Sequence, residues 1–367
     1  MRKSMIALLL SVMLMALGGC GSQTAPDKAS DPKKITVTDM VGRQVAITGP
    51  VERVVAIGPG ALRLYCYING ADKVVGVEQM EKDNPTGRPY LLAHPFLTEL
   101  PVIGPGGPNN APDPEKILAV KPDVIFSCYT SDKTAVDELQ TRTGIPVVAL
   151  DYGTAAAFDP HVDKSLKVIG QIVGQGKRAQ ELIAYFERCQ QDLDNRTKGI
   201  ADEKRPRVYI GALGARGTHG IESTQGKYAL FAAVNAVNVV DETGKTGSFM
   251  IDKEKLLEWN PDKIFIDLAG YPMVKEDYSK NPKFYNVLSA VQQGELYSQL
   301  PFNYYWTNID TAVADAYYIG QVIYPEQFKD IDPEKKADEI YQLLLGKPLY
   351  AQRAKEFGGF KKRTLPL

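Results

Sequence analysis

The sequence is poor in the side chains that most metal and nucleophile chemistry needs. It has three histidines, at 94, 161 and 219, and four cysteines. No histidine sits at metal-ligand spacing. After Cys20 only Cys66, Cys128 and Cys189 remain, and three thiols cannot all pair. Cys66 and Cys128 stand in apolar surroundings and read as buried free thiols. There is no G-x-S-x-G elbow, no Walker loop and no H-E-x-x-H, and the first strand-to-helix turn lacks G-x-G-x-x-G, so nothing points to an enzyme. An excess of either charge is missing too, with 43 basic against 44 acidic side chains. That argues against a nucleic acid or polyanion partner, which a basic tract would mark. Beyond the start of the chain no stretch approaches the roughly 20 apolar residues that span a bilayer.

What is present begins at the first residue. "MRKSMIALLLSVMLMALGGC" has a basic start, an apolar run too short to span, and Leu17-Gly18-Gly19-Cys20 in the form of a bacterial lipobox. We expect a signal peptide over 1–19 and lipid on Cys20. Residues 20–34, small, polar and Pro-containing, are expected to be a flexible tether. The chain is then exported and held at a membrane surface. Roughly 330 residues follow, enough for two domains.

From 35 on, short apolar strands alternate with helices. "ITVTDMVGRQVAI" reads as a hairpin turning at Gly42-Arg43. "RVVAI", "KVVGVE", "VIFSCY" and "IPVVAL" read as strands, with helices at 61–69, 115–120 and 131–143 between them. This is the pattern of a parallel α/β sheet. At 159–200 the periodicity becomes helical, with Ala179, Leu182, Ile183, Phe186 and Leu193 as an apolar stripe. Strands resume at "RPRVYIGALG". A helix entered from Thr307 or Asn308 and stopped by Pro325, and another over 332–346, lie near the end. The expected fold is two α/β lobes, each a mostly parallel sheet flanked by helices: 35–158, a helical bridge at 159–200, and 201–367.

The chain also repeats itself. "PDPEKILAVKPDVIF" at 112–126 and "IDKEKLLEWNPDKIF" at 251–265 match at a constant offset of 139. Glu115 aligns with Glu254, Pro122 with Pro261, and Asp123 with Asp262, inside a matched apolar frame. One unit is used twice, once per lobe.

Together, the lipobox, "VTDMVGRQVAI", "VERVVAIGPG", "GADKVVGVE", "PEKILAVKPDVIF" and its echo make the sequence resemble the substrate-binding proteins of ABC importers for iron–siderophore complexes and cobalamin. The resemblance covers nearly all of the mature chain. It implies two lobes joined by one long rigid helix, with the solute in the cleft between them and a small closure on binding. It also implies a monomer that docks on membrane permease subunits served by a cytoplasmic ATPase. The family's docking glutamates fall, residue by residue, on Glu115 and Glu254. A structural role competes with this: a glutamate in a helix's first turn is favoured by the dipole alone.

Ligands of open α/β sheets bind beyond the carboxyl ends of the strands. Those ends are glycine-rich here: "GPGALR" at 58–63, "GPGGPNN" at 104–110, "SCY" at 127–129 and "GALGARGTHG" at 211–220, with "FNYYWTN" at 302–308 late in the chain. The candidate ligand residues are Gly60, Ala61, Arg63, Gly106, Tyr129, Arg216, His219, Tyr304 and Tyr305. Free N–H groups at the helix start after Gly60 would favour an anion. Arg63 and Arg216, one per lobe, would suit a multiply charged anion. Tyrosines would add stacking surface and hydroxyls for an organic chelate. Each segment also has a plain reading as a turn, a surface residue or core. We expect no resident cofactor and no metal held by the protein alone. The leading solute is a ferric chelate, with molybdate or tungstate as the alternative and cobalamin or haem less favoured. A sensor or adaptor on the same fold remains a competing role.

Overall fold

The computed structural model describes residues 34–83, 85–107, 110–129, 132–153 and 157–364. The expected signal segment, Cys20 and all of the tether except Lys34 lie outside the described residues.

The first strands, β1 (Lys34–Thr38) and β2 (Gln44–Thr48), pair antiparallel, and the turn between them uses Gly42 at φ 80°. The N-terminal lobe is then a parallel sheet of β3 (Val54–Ile57), β4 (Val74–Gly76), β5 (Val124–Ser127) and β6 (Val147–Ala149), in the order β4-β3-β5-β6. β3 and β5 are buried at every position, as expected of strands covered on both faces.

The C-terminal lobe contains β7 (Arg207–Gly211), β8 (Ser223–Gly226), β9 (Val237–Asn238), β10 (Gly247–Met250), β11 (Lys263–Asp267), β12 (Leu296–Gln299) and β13 (Lys361–Arg363). Five of these form the order β13-β12-β11-β7-β9, parallel except for β13 at the edge. β8 and β10 make a separate antiparallel pair.

The helical segment expected at 159–200 holds the long link and a shorter helix before it. It is two helices, Pro160–Ile172 and Gly176–Thr197. Gly174, at φ 73°, takes the left-handed backbone that stops the first of them. The first packs on the helix Ala61–Asn69 and on β1, so it belongs to the N-terminal lobe. The second, 22 residues long, is the link, and at 1.5 Å per residue it reaches about 33 Å. Its expected stripe, Ala179, Leu182, Ile183, Phe186 and Leu193, is buried throughout.

Behind the cleft the lobes do not stay separate. One apolar cluster runs from Leu64 and Phe126 through Leu182 to Phe265 and Ile319. The helix Ile309–Ile323 is buried at almost every position, and the helix Pro333–Leu345 packs back on Ala61–Asn69. A core shared in this way resists large relative motion of the lobes. Among the described residues no helix is long and apolar enough to cross a membrane.

Both copies of the repeat fold alike. Helix Pro114–Ala119 leads into β5, and helix Lys253–Trp259 leads into β11. After each helix a non-glycine residue takes a positive φ: Lys121 at 45° and Asn260 at 39°, again 139 apart. The Pro-Asp that follows ties the new strand to its neighbour. Asp123 N–H donates to Arg53 O, and Asp262 N–H to Arg207 O, both at 2.8 Å.

Candidate functional site

In each lobe the parallel strands aim their carboxyl ends at the other lobe, and the sites expected from sequence gather there unevenly. The centre is a carboxylate the sequence reading did not select. Glu78 stands two residues after β4 and is 3% exposed. Its Oε1 accepts from Tyr129 Oη at 2.5 Å. Its Oε2 accepts from Tyr305 Oη at 2.8 Å and from Gly58 N–H at 3.1 Å. Burial pushes the Glu78 carboxyl up to about 7, against the pull of the Tyr129 and Tyr305 hydroxyls. Tyr305 belongs to the C-terminal lobe, so its hydroxyl crosses the cleft; it also accepts from Gly107 N–H at 2.9 Å. The Arg88 guanidinium sits 5.5 Å from the Tyr305 ring centroid and pairs with buried Glu81 at 3.0 Å.

The segment carrying Tyr305 is strapped down from the N-terminal side. Arg63 Nε donates to Asn308 Oδ1 at 2.7 Å, Nη1 to Thr307 O at 2.9 Å, and Nη2 to Tyr304 O at 2.7 Å. One turn along the same helix, Tyr67 Oη donates to buried Asp310 at 2.8 Å. Asn308 Nδ2 reaches back to Gly87 O at 2.8 Å. Held this way, Tyr305 and Trp306 take φ of 51° and 74°, two left-handed residues in succession. Such backbone costs on the order of 1–3 kcal/mol per residue and persists only where the surroundings over-determine it. The result turns Tyr305 inward, 8% exposed, and leaves Trp306 outward, 37% exposed.

This corrects several expectations. Arg63 does not face an open cleft: it is 0% exposed, and its donors are taken by the 304–308 segment and by Tyr152. The helix start beside it is closed as well. Gly58 (φ 85°) and Gly60 (φ 86°) are required by the tight turn, but a Cβ there would meet Tyr129 N at 2.7 Å and the Tyr152 ring at 2.4 Å. Ala61 is fully buried and its N–H turns back to Gly58 O. The paired-arginine clamp is therefore not formed. Tyr304 is half-buried and Tyr305 buried.

The other expected residues are distributed as follows. Gly106 is buried against Glu78 and Met80. Tyr129 is half-buried. Arg216 is exposed at φ 56°. His219 is half-buried, its Nε2 2.8 Å from Ala215 O. The 211–220 loop meets the strap where Asn303 Nδ2 donates to Gly214 O at 2.5 Å. Among the described residues no group of three or more His, Cys, Asp or Glu could hold a metal ion. Cys66 and Cys189 are buried free thiols, and Cys128 is free and half-buried.

Two cavities are relevant, and only the first borders this region. One of about 370 Å³ opens beside Tyr129, lined also by Asn110, Ser127, Glu138 and Arg142. A larger one of about 560 Å³ lies between the lobes against the linking helix, at Phe158, Glu187, Gln191, Asp194 and Ala229. It lies away from the Glu78 centre and carries no cation.

Comparison with known proteins decides the class. Residues 54–301 match the family described as periplasmic binding protein. The chain belongs to the periplasmic binding protein family. As a member it is a solute-binding protein of an ABC importer, with a membrane permease as its partner. It is 24% identical over 327 residues to the Molybdate-binding protein MolA of Haemophilus influenzae, covering 83% of this chain and 89% of the relative. It is 26% identical over 319 residues to the Iron-uptake system-binding protein of Bacillus subtilis, covering 81% and 90%. The molybdate-bound structure of MolA superimposes with a TM-score of 0.67 at 21% identity, covering 85% of this chain and 98% of that one.

Two residues of this binding protein's cleft escaped the sequence reading. Glu78 had a signal: an acidic side chain closing the apolar stretch "KVVGVE", at the carboxyl end of a parallel strand. Trp306 lay inside the quoted "FNYYWTN", but nothing in the sequence announces that its backbone is left-handed.

Proposed function

We propose that the protein captures a ferric chelate of the siderophore class and hands it to its permease. The observation that carries this reading is the aromatic set around Glu78. Half-buried Tyr129 and buried Tyr305 set two phenol rings on Glu78, and the loop that meets the strap at Asn303 carries the exposed cation Arg216. That composition suits an organic chelate, which has apolar area to bury, better than a bare tetrahedral dianion. With Arg63 occupied inside the protein, two guanidiniums are not available to one anion.

In this reading the chain is exported and anchored by lipid on Cys20, acts as a monomer, and presents Glu115 and Glu254 to cationic sites on the permease. Complementary charge there sets orientation and encounter rate more than affinity. The merged core behind the cleft supports a small closure on binding.

A second reading, a molybdate or tungstate receptor, is favoured by the similarity to MolA over most of both chains. It would place the oxyanion at the loop of Arg216 and His219.

A thermal-shift panel on the chain from residue 34 separates them, using ferric siderophores, free Fe³⁺, haem, cobalamin, molybdate and tungstate. A ligand at 100 times its Kd stabilises by about 2.7 kcal/mol. We expect a ferric chelate to raise the melting temperature and the oxyanions to leave it unchanged. A shift by molybdate or tungstate alone would replace the first reading with the second.

A further inference from the structure

The repeated helix shows more than a glutamate to solvent. Seven large apolar side chains among the described residues are exposed: Phe96, Leu118, Met250, Leu257, Met273, Val287 and Trp306. Leu118 and Leu257 are 139 residues apart, the offset of the repeat. Shifting each of the other five by 139 meets Asn235, Ala111, Thr134, buried Val148 or Lys167, so none is half of an exposed pair of large apolar side chains.

The local geometry is also duplicated. In the first copy Ile117 is buried (0%) while its neighbour Leu118 is 41% exposed; in the second Leu256 is buried (1%) and Leu257 is 36% exposed. Glu115 stands three residues before Leu118, and Glu254 three before Leu257. That spacing puts each carboxylate and leucine on one face, about a turn apart. Both glutamates are exposed, and neither carboxylate has a hydrogen bond or ion pair among the described residues. The lysines beside them are engaged elsewhere, Lys116 with Asp113 at 3.3 Å and Lys255 with Glu258 at 2.8 Å. Each lobe therefore offers the same two-part patch: a bare carboxylate and, next to it, a leucine with no cover.

We infer that Leu118 and Leu257 are paired apolar anchors that seat the two lobes in two symmetry-related sockets of the membrane permease, each socket lying beside the cation that receives Glu115 or Glu254. A lone exposed leucine needs no explanation. Two at equivalent points of a duplicated unit, each beside an unpaired carboxylate, fit a partner that presents one cation and one apolar hollow twice. The division of labour follows from physics. The carboxylates steer and are screened by salt. The leucines gain by leaving water, which salt does not screen.

The inference rests on the importer reading, and the test keeps the two apart. The full chain with Cys20→Ala, which has no lipid anchor, is titrated onto the permease of its importer in lipid nanodiscs at 50 and 500 mM NaCl, with empty nanodiscs as reference. Leu118→Ser and Leu257→Ser should each weaken binding about tenfold at both salt concentrations, and together about a hundredfold. The pair Glu115→Gln and Glu254→Gln should weaken it mainly at 50 mM and flatten the salt dependence. Unchanged melting temperatures confirm folding, and Leu118→Ala with Leu257→Ala repeats the test should serine disturb a helix. Leucine variants that bind within twofold of the parent, while the glutamine pair is weakened, would overturn the anchors. So would a loss confined to one leucine, or equal binding to empty nanodiscs. If neither pair matters, the importer docking reading itself falls.

Discussion

The two lobes place an arginine near the same cleft, and the two arginines have opposite fates. Arg63 lies in the first turn of a helix of the N-terminal lobe, is fully buried, and holds the strap of the C-terminal lobe by four of its acceptors. Arg216 lies in a loop of the C-terminal lobe and is exposed. An arginine after a glycine-rich strand end is thus no reliable sign of a ligand contact. What distinguishes them is what lies opposite: the carbonyls of Tyr304, Tyr305 and Thr307 and the Asn308 amide all face Arg63, around the left-handed Tyr305 and Trp306, and a guanidinium with five donors fits that set.

The largest expected effect breaks this asymmetry. Arg63→Met removes the donors and leaves the Tyr304 and Thr307 carbonyls and the Asn308 amide buried without them, so it should cost about 3–5 kcal/mol in urea unfolding. Arg216→Met should stay within about 0.5 kcal/mol, as for a surface change without partners. Similar costs at the two positions would show that the strap does not depend on Arg63.

The lobes agree more closely in their buried carboxylates. Glu78, two residues past β4, and Asp267, the last residue of β11, are both pushed up to about 7, each by burial first. Asp267 keeps a bond from Ala269 N–H at 2.9 Å, and Gln299 and Arg353 also pull it down. A carboxyl whose folded pKa lies above its unfolded value favours folding when protonated. That contribution is full below about 4.5 and is lost as the pH rises through about 7. Stability should therefore decline between pH 5 and 8. Glu78→Gln should remove its part of the decline, on the order of 3 kcal/mol, and Asp267→Asn a similar part. Urea titrations at the two pH values check it. A slope unchanged in Glu78→Gln would mean that the two tyrosine hydroxyls hold Glu78 ionised throughout.

The sequence made the frame legible because period and punctuation carry it. The hairpin at Gly42, the strands of both lobes, the stripe from Ala179 to Leu193 and the helix entered from Asn308 all appear where alternation or three-to-four spacing put them. The cleft was less legible, for two physical reasons. Side-chain destination depends on tertiary partners, so Arg63 could not be known to turn inward. Backbone at positive φ on Tyr305 and Trp306 contradicts local preference and exists only because distant groups impose it. Glu78 illustrates the middle case, visible as an acid closing an apolar strand segment but meaningful only once Tyr305 is seen to reach it.

The smallest expected effect sharpens the comparison of the two repeats. Asp123 Oδ2 accepts from the N–H groups of Glu52 and Arg53, both at 2.8 Å, whereas Asp262 Oδ2 accepts only from Arg207 N–H, also at 2.8 Å. The missing bond has a covalent cause. The residue before Arg207 is Pro206, which has no N–H, where the first copy has Glu52 before Arg53. Both sites are partly open to water, which replaces some of what is lost. Asp123→Ala should therefore cost about 2 kcal/mol and Asp262→Ala about 1 kcal/mol, measured by urea unfolding. In a Pro206→Ala background the second copy regains a donor, and the cost of Asp262→Ala should rise towards that of Asp123→Ala. If the two costs differ by the same amount with and without Pro206, the difference lies in the strands being tied and not in the count of N–H groups.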